Sequence, residues 1–281
     1  MRFKKEDISM RKEFGLVLLA LLFLSINAIT GAYAVEDTVD EKETQVQNQE
    51  KQTLIKEEAD VSGDGKPDTI KITGIHYEEG SSYLKEIYLE IKGSNGNHYR
   101  TELDSGYEPT LELVDLNHDG IKDMFISIPT GGSGGISNYF LYTLKDFILT
   151  DIGIPEPLQI TSQFLNNYKA AMTIDNSGET YTFDLQSRKK DYNQLGLYTN
   201  GVLNEPRELM VDPYSSLKPF QVKDREEQYG LKGIQQISGA YHADGIAFVE
   251  SSWFYENGKW NLVKTKVMDR DKMKKNKKKK K

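Results

Sequence analysis

Asp60-Val61-Ser62-Gly63-Asp64-Gly65-Lys66-Pro67-Asp68 and Asp115-Leu116-Asn117-His118-Asp119-Gly120-Ile121-Lys122-Asp123 share one spacing, Asp-x-polar-x-Asp-Gly-x-x-Asp. Oxygen-bearing side chains on alternate residues of a tight loop suit a hard cation, and Ca²⁺ takes six to eight oxygens at about 2.3–2.6 Å. The Gly at the sixth position, Gly65 or Gly120, supplies a bend that a residue with a Cβ resists. The candidate ligands are Asp60, Ser62, Asp64, the backbone carbonyl of Lys66 and Asp68 in the first loop. In the second they are Asp115, Asn117, Asp119, the carbonyl of Ile121 and Asp123. Asp-Gly pairs also mark plain turns. Two copies in the same register, each feeding a strand, favour the cation.

The flanks set the fold class. Thr69-Ile70-Lys71-Ile72-Thr73 alternates apolar with polar, and Met124-Phe125-Ile126-Ser127-Ile128 is a short apolar run; both read as strands. The helix-loop-helix calcium hand needs a Glu at position twelve, where Lys71 and Ile126 stand. Further strands are expected at Leu111–Val114, Glu86–Ile91, His98–Leu103 and Asn138–Leu144. Hairpins are expected over 170–185 and around Asn257-Gly258, the second pairing Trp253 with Leu262 and Tyr255 with Trp260. A short helical turn is expected at Ser162–Tyr168, and loops at Ile154–Leu158 and Asn204–Pro219. The body divides near residue 190.

On Asp60 to Asp68, Asp115 to Asp123 and the strand after each, the chain resembles the FG-GAP and VCBS class of calcium-loop repeats, over residues 54–145. That class includes the blades of the integrin alpha N-terminal propeller and many secreted bacterial proteins. The resemblance implies an all-β, propeller-like set of antiparallel blades joined by Asp-rich loops, with Ca²⁺ in each loop and a role in surface recognition. Two departures stand: Ser62 is a weaker ligand than the usual Asp or Asn, and two repeats are too few to close a ring of about four to eight blades.

Residues 1–34 read as a signal peptide, with a basic stretch of Arg2, Lys4, Lys5, Arg11 and Lys12, an apolar core at Leu16–Leu24, and Ala32-Tyr33-Ala34 as the cleavage site. The alternative is an uncleaved anchor, and Met10 would make a tidier start. Residues 35–58 are polar and charged and read as a flexible linker. There is no cysteine, so neither a lipid-anchoring Cys nor a disulfide is available. An exported chain of this kind is stabilised by core and metal, which fits a Gram-positive bacterium and a secreted or wall-associated location.

Charge is uneven. The chain has 36 basic and 43 acidic side chains, net −7, while eight of the lysines fall between Lys272 and Lys281. An acidic body therefore ends in a polylysine tail, a self-repelling run suited to an anionic cell-wall polymer or a membrane surface. The alternative is a solvated tail lying loosely on its own acidic body. The acidic body argues against nucleic acid as partner.

Enzyme signals are weak. Gly131-Gly132-Ser133-Gly134-Gly135 matches G-x-S-x-G, but a strand, not a helix, is expected after it; Asp212 and His242 follow in the order a triad needs. Ser215–Lys218 matches S-x-x-K in a Pro-flanked segment with no K-T-G after it. The four histidines are not spaced for zinc, and His118 is expected to point outward from the second loop. Trp253 and Trp260 serve as core or as a sugar-stacking pair, with core favoured. The sequence thus predicts an exported calcium-binding β-repeat protein acting in surface recognition or structure, not catalysis. The alternatives are a wall-associated hydrolase or enzyme inhibitor on the same scaffold, and a spore or envelope structural component.

Overall fold

The computed structural model describes residues 50–132, 134–223 and 228–273, which belong to one compact unit beginning at Gln49. The signal peptide, most of the linker, Ser133 and the tail beyond Met273 lie outside the described residues. The fold is all-β, built of antiparallel meanders.

The first sheet runs β1 (Gln52–Ala59), β2 (Asp68–His76), β3 (Tyr83–Lys92), β4 (His98–Leu103), with the short β5 (Gly106–Tyr107) added beside β3. The alternation read in β2 buries Ile70 and Ile72. The end of the expected linker is strand: β1 pairs with β2 from Gln52↔Gly74 to Ala59↔Asp68. A register shift between Thr53 and Ile55 accompanies two adjacent apolar residues, Leu54 and Ile55, that both pack on the core. Those apolar side chains offset the entropy that the surrounding charges would otherwise leave unopposed.

The second sheet, β6 (Thr110–Val114), β7 (Asp123–Pro129), β8 (Ser137–Thr143) and β9 (Thr150–Asp151), repeats the plan. In each sheet the Asp loop joins the first strand to the second. β7 is buried on both faces from Asp123 to Ile126, which explains its apolar run Met124-Phe125-Ile126. Met124, Ile126 and Ile128 join a core with Ile70, Ile72, Ile87 and Leu89, whereas Phe125 joins a second core on the opposite face.

That second core also holds Phe164, Phe183, Tyr192, Tyr214, Leu231, Val249 and Trp253. It runs through residue 190 and also across the irregular stretch after β9, joining Leu116, Phe125 and Leu141 to Phe164, Tyr192 and Trp253. A three-stranded sheet of β10 (Ile160–Leu165), β11 (Lys169–Ile174) and β12 (Glu179–Asp184) comes next in the chain. The helical turn expected at Ser162–Tyr168 is strand to Leu165 and then the turn into β11: Ser162 and Phe164 are buried with Gln163 exposed between them, a period of two. After α1 (Lys189–Gln194) and the small hairpin β13 (Tyr198–Thr199) and β14 (Val202–Leu203) comes the last sheet.

This sheet is β15 (Met210–Gln221), β16 (Tyr229–Ser238), β17 (Gly245–Glu256) and β18 (Lys259–Asp269), in that order. The loop expected over Asn204–Pro219 is strand from Met210 onward. Its prolines, Pro213 and Pro219, are tolerated because β15 is an edge strand with irregular register between Val211 and Ser216. The Asn257-Gly258 hairpin has the expected register, Trp253↔Leu262 and Tyr255↔Trp260.

Candidate functional site

The two Asp loops are built alike, position by position. The last Asp of each is fully buried and accepts two backbone N–H groups on one oxygen. Asp68 Oδ2 takes Val61 and Ser62, each at 3.0 Å; Asp123 Oδ2 takes Leu116 at 2.9 Å and Asn117 at 3.1 Å. The third-position side chain donates to the other oxygen, Ser62 Oγ at 3.3 Å and Asn117 Nδ2 at 3.2 Å. The first Asp accepts the N–H of the glycine, Gly65 to Asp60 at 2.8 Å and Gly120 to Asp115 at 2.9 Å. The fifth-position Asp accepts the seventh N–H, Lys66 to Asp64 at 2.9 Å and Ile121 to Asp119 at 3.0 Å. Both glycines are left-handed, at φ +81° and +85°, which is why Gly stands there.

Electrostatics set the loops apart. Asp123 is surrounded by neutral donors, and burial pushes its carboxyl up to about 6 despite the bonds from Leu116, Asn117 and Thr143. Asp64 is exposed, and the Ser94 hydroxyl and the Lys66 N–H hold its carboxyl below the usual range. Ser94 donates to Asp64 Oδ2 at 2.7 Å; at the corresponding place in the second loop, Lys145 Nζ sits 3.3 Å from Asp119 Oδ2. Among the described residues, no group of three or more His, Cys, Asp or Glu side chains converges on one point. The carboxylates are instead turned to loop N–H groups.

The fourth position fastens each loop to a later part of the chain. A Cβ on Gly63 would lie 2.5 Å from Ile121 Cδ1, so the first loop rests on the second. His118 does not point outward. It stacks on Phe254, with Nδ1 3.0 Å from the Tyr255 carbonyl and Nε2 2.8 Å from that of Tyr229. Sequence reading missed this because the partners lie more than a hundred residues away.

Other candidates resolve differently. His242 Nδ1 lies 3.2 Å from Asp212 Oδ1, and Asp212 is buried with Oδ2 unpartnered. Ser215 donates to the Ile234 carbonyl at 3.0 Å and sits at the register shift of β15 between Tyr214 and Ser216. Trp253 is core, with Nε1 donating to Ser251; Trp260 donates to the Gly153 carbonyl and packs edge-on against Tyr255, so the pair forms no sugar platform.

A network the sequence did not signal lies beside a cleft of about 790 Å³ lined by Asp184, Arg188, Asp244 and Arg270 among others. Arg188 bonds Asp244 and Asp271, each at 2.7 Å, and the Tyr192 hydroxyl donates to Asp244.

Antiparallel meanders, two of them carrying matched Asp loops, define the class as an all-β protein. The chain belongs to the YybI family. Residues 158–268 match the family described as the YybI C-terminal domain. The chain is 33% identical over 215 residues to the uncharacterized protein YybI of Bacillus subtilis (strain 168), a match covering 74% of this chain and 79% of that protein. The family match begins just before β10. No solved structure matches the chain.

Proposed function

We propose that the chain is an exported, calcium-stabilised β-repeat protein that serves as a recognition or structural module at a bacterial surface. The observation that carries this reading is the same hydrogen-bond network built twice around Asp68 and Asp123. A buried carboxylate held only by neutral donors is costly as an anion, and a divalent cation would offset that cost. Carboxylate, amide and hydroxyl oxygens are the donor chemistry Ca²⁺ prefers. Asp60, Ser62, Asp64, the Lys66 carbonyl and Asp68 would hold one ion; Asp115, Asn117, Asp119, the Ile121 carbonyl and Asp123 would hold the other. The repeated meander with its loop in the same place supports the FG-GAP/VCBS-like, propeller-like arrangement. The Lys272–Lys281 run supplies an electrostatic tether to an anionic wall polymer or membrane surface. Catalysis is not part of this reading; the Asp212–His242 pair is what favours the alternative, a wall-associated hydrolase.

The test is the melting temperature with calcium and with excess chelator, beside Asp119→Ala. Calcium at about 100 times its dissociation constant adds about 2.7 kcal/mol per site. A rise that Asp119→Ala blunts supports the reading. An unchanged melting temperature reduces both loops to Asp-Gly turns and removes the family resemblance with them.

A further inference from the structure

The outward face of the last sheet runs against the charge of the protein. Lys218, Lys232, Ser252 and Lys264 stand opposite one another in a single row across β15, β16, β17 and β18. The next row is Ser216, Ile234, Glu250 and Lys266. Arg270, just past β18, lays its guanidinium 5.2 Å above the Phe248 ring on the same face. Among the described residues, these five cations share the face with Glu250, whose Oε1 lies 3.7 Å from Lys232 Nζ, and with Glu256, which stands at the same alternation of β17 opposite Lys259. The whole chain is net −7. Lys218, Lys264 and Lys266 are exposed.

Two physical features argue that this face has an anionic occupant. Lys218 is paired directly with Lys232, a like-charge pair that destabilises a sheet; Glu250 offsets the Lys232 charge from one side, while Lys218 is exposed. The cations are also closely spaced: Lys218 and Lys232 stand on neighbouring strands, about 4.8 Å apart at the backbone, and Lys264 and Lys266 are alternate residues about 6.8 Å apart on β18. That is the scale of successive charges on an extended polyanion.

The chemistry of the face narrows the class. Its aromatic rings are already covered, Phe248 by Arg270 and Phe220 by Lys232 Nζ at 4.9 Å, so none is open for base stacking. Phe220, Ile234, Phe248 and Met268 are only half-exposed, and the large exposed apolar side chains lie elsewhere, with Val263 at the rim. A bilayer would have little to anchor to.

We propose that this face, centred on Lys218, Lys232 and Lys264, docks a linear phosphodiester polymer without bases, of the poly(glycerol phosphate) kind. The docking is separate from any cation in the Asp loops, so the calcium reading and this one fail independently.

The test uses the full chain with poly(glycerol phosphate) in buffer free of divalent ions, with affinity measured across a salt series. Three proteins are compared: the parent; Lys218→Gln/Lys232→Gln/Lys264→Gln; and a tail variant with Lys274, Lys275 and Lys277 to Lys281 all changed to Gln. The face variant is expected to bind at least about tenfold more weakly with the tail intact. Its log–log salt slope is expected to fall by about 2 to 3. The polymer is expected to raise the melting temperature of the parent more than that of the face variant. Lys264→Gln/Lys266→Gln, confined to the edge strand β18, serves if the triple variant fails to fold. The proposal is overturned if the parent does not bind, or if the face variants bind like the parent while the tail variant loses binding. It is equally overturned if vesicles of equal parts phosphatidylglycerol and phosphatidylcholine, or a single-stranded oligonucleotide, bind the face more tightly than the polymer.

Discussion

The imidazole of His118 lies flat on the ring of Phe254, centroids 4.3 Å apart and planes 19° from parallel. This contact joins the second Asp loop to the last sheet, and the carbonyls of Tyr229 and Tyr255 flank the two ring nitrogens, one of which donates in the neutral ring. His118→Ala is expected to cost about 1–3 kcal/mol, the sum of a stacked pair and one net hydrogen bond. His118→Phe should restore the stacking part alone. Chemical denaturation of the three proteins measures it; equal stabilities would mean that the loop is held by its backbone only.

At the matching position of the first loop, Gly63 has φ +83° and its missing Cβ would strike Ile121. Gly63→Ala is expected to destabilise by about 1–3 kcal/mol through backbone strain alone, with the clash in addition. Adding Ile121→Ala should recover the part due to the clash and leave the part due to φ. A double-mutant cycle with no coupling would refute the contact.

Arg188 is largely buried between Asp244 and Asp271. Removing it as Arg188→Met leaves Asp244 buried as an anion and is expected to cost about 3–5 kcal/mol. Changing Asp244→Asn in the same protein should return part of that loss, because the uncompensated charge is then gone. Urea titrations of the single and double variants give the answer.

Burial pushes the Tyr198 phenol up to about 12, and burial also raises Tyr192 and Tyr214. The unfolded chain releases these protons near pH 10, while the folded chain keeps Tyr198 protonated until about 12. The unfolded state therefore binds fewer protons in that window, so stability is unaffected below pH 10 and falls as pH rises from 10 to 12. Tyrosinate absorbance should rise in two stages, exposed phenols first and the buried ones together with loss of circular dichroism. Smooth single-stage ionisation without unfolding would contradict the burial.

Local rules carried most of the fold. Period-two alternation located β2 and β3, and Asn257-Gly258 set the register of β17 and β18 down to Tyr255↔Trp260. The Asp loops were legible because their spacing is itself the structure. The features that escaped depend on distant partners. β15 looked like a loop because Pro213 and Pro219 break the usual strand signal, and only its place at the sheet edge tolerates them. β1 looked like linker because two apolar residues among charges are a weak pattern until β2 lies beside them. The Arg188 network is drawn from residues 188 to 271, and no spacing announces it.

β7 belongs to both cores at once, giving Met124, Ile126 and Ile128 to one and Phe125 to the other. The halves are therefore not interchangeable parts on a string. A shortened relative that kept only the segment from 158 onward would leave bare the apolar surface that Leu116, Phe125 and Leu141 cover in this chain. Such a protein must find a substitute neighbour, a second copy or a different preceding module. The architecture thus limits how the C-terminal domain is recombined in evolution: it travels with a partner sheet or acquires one.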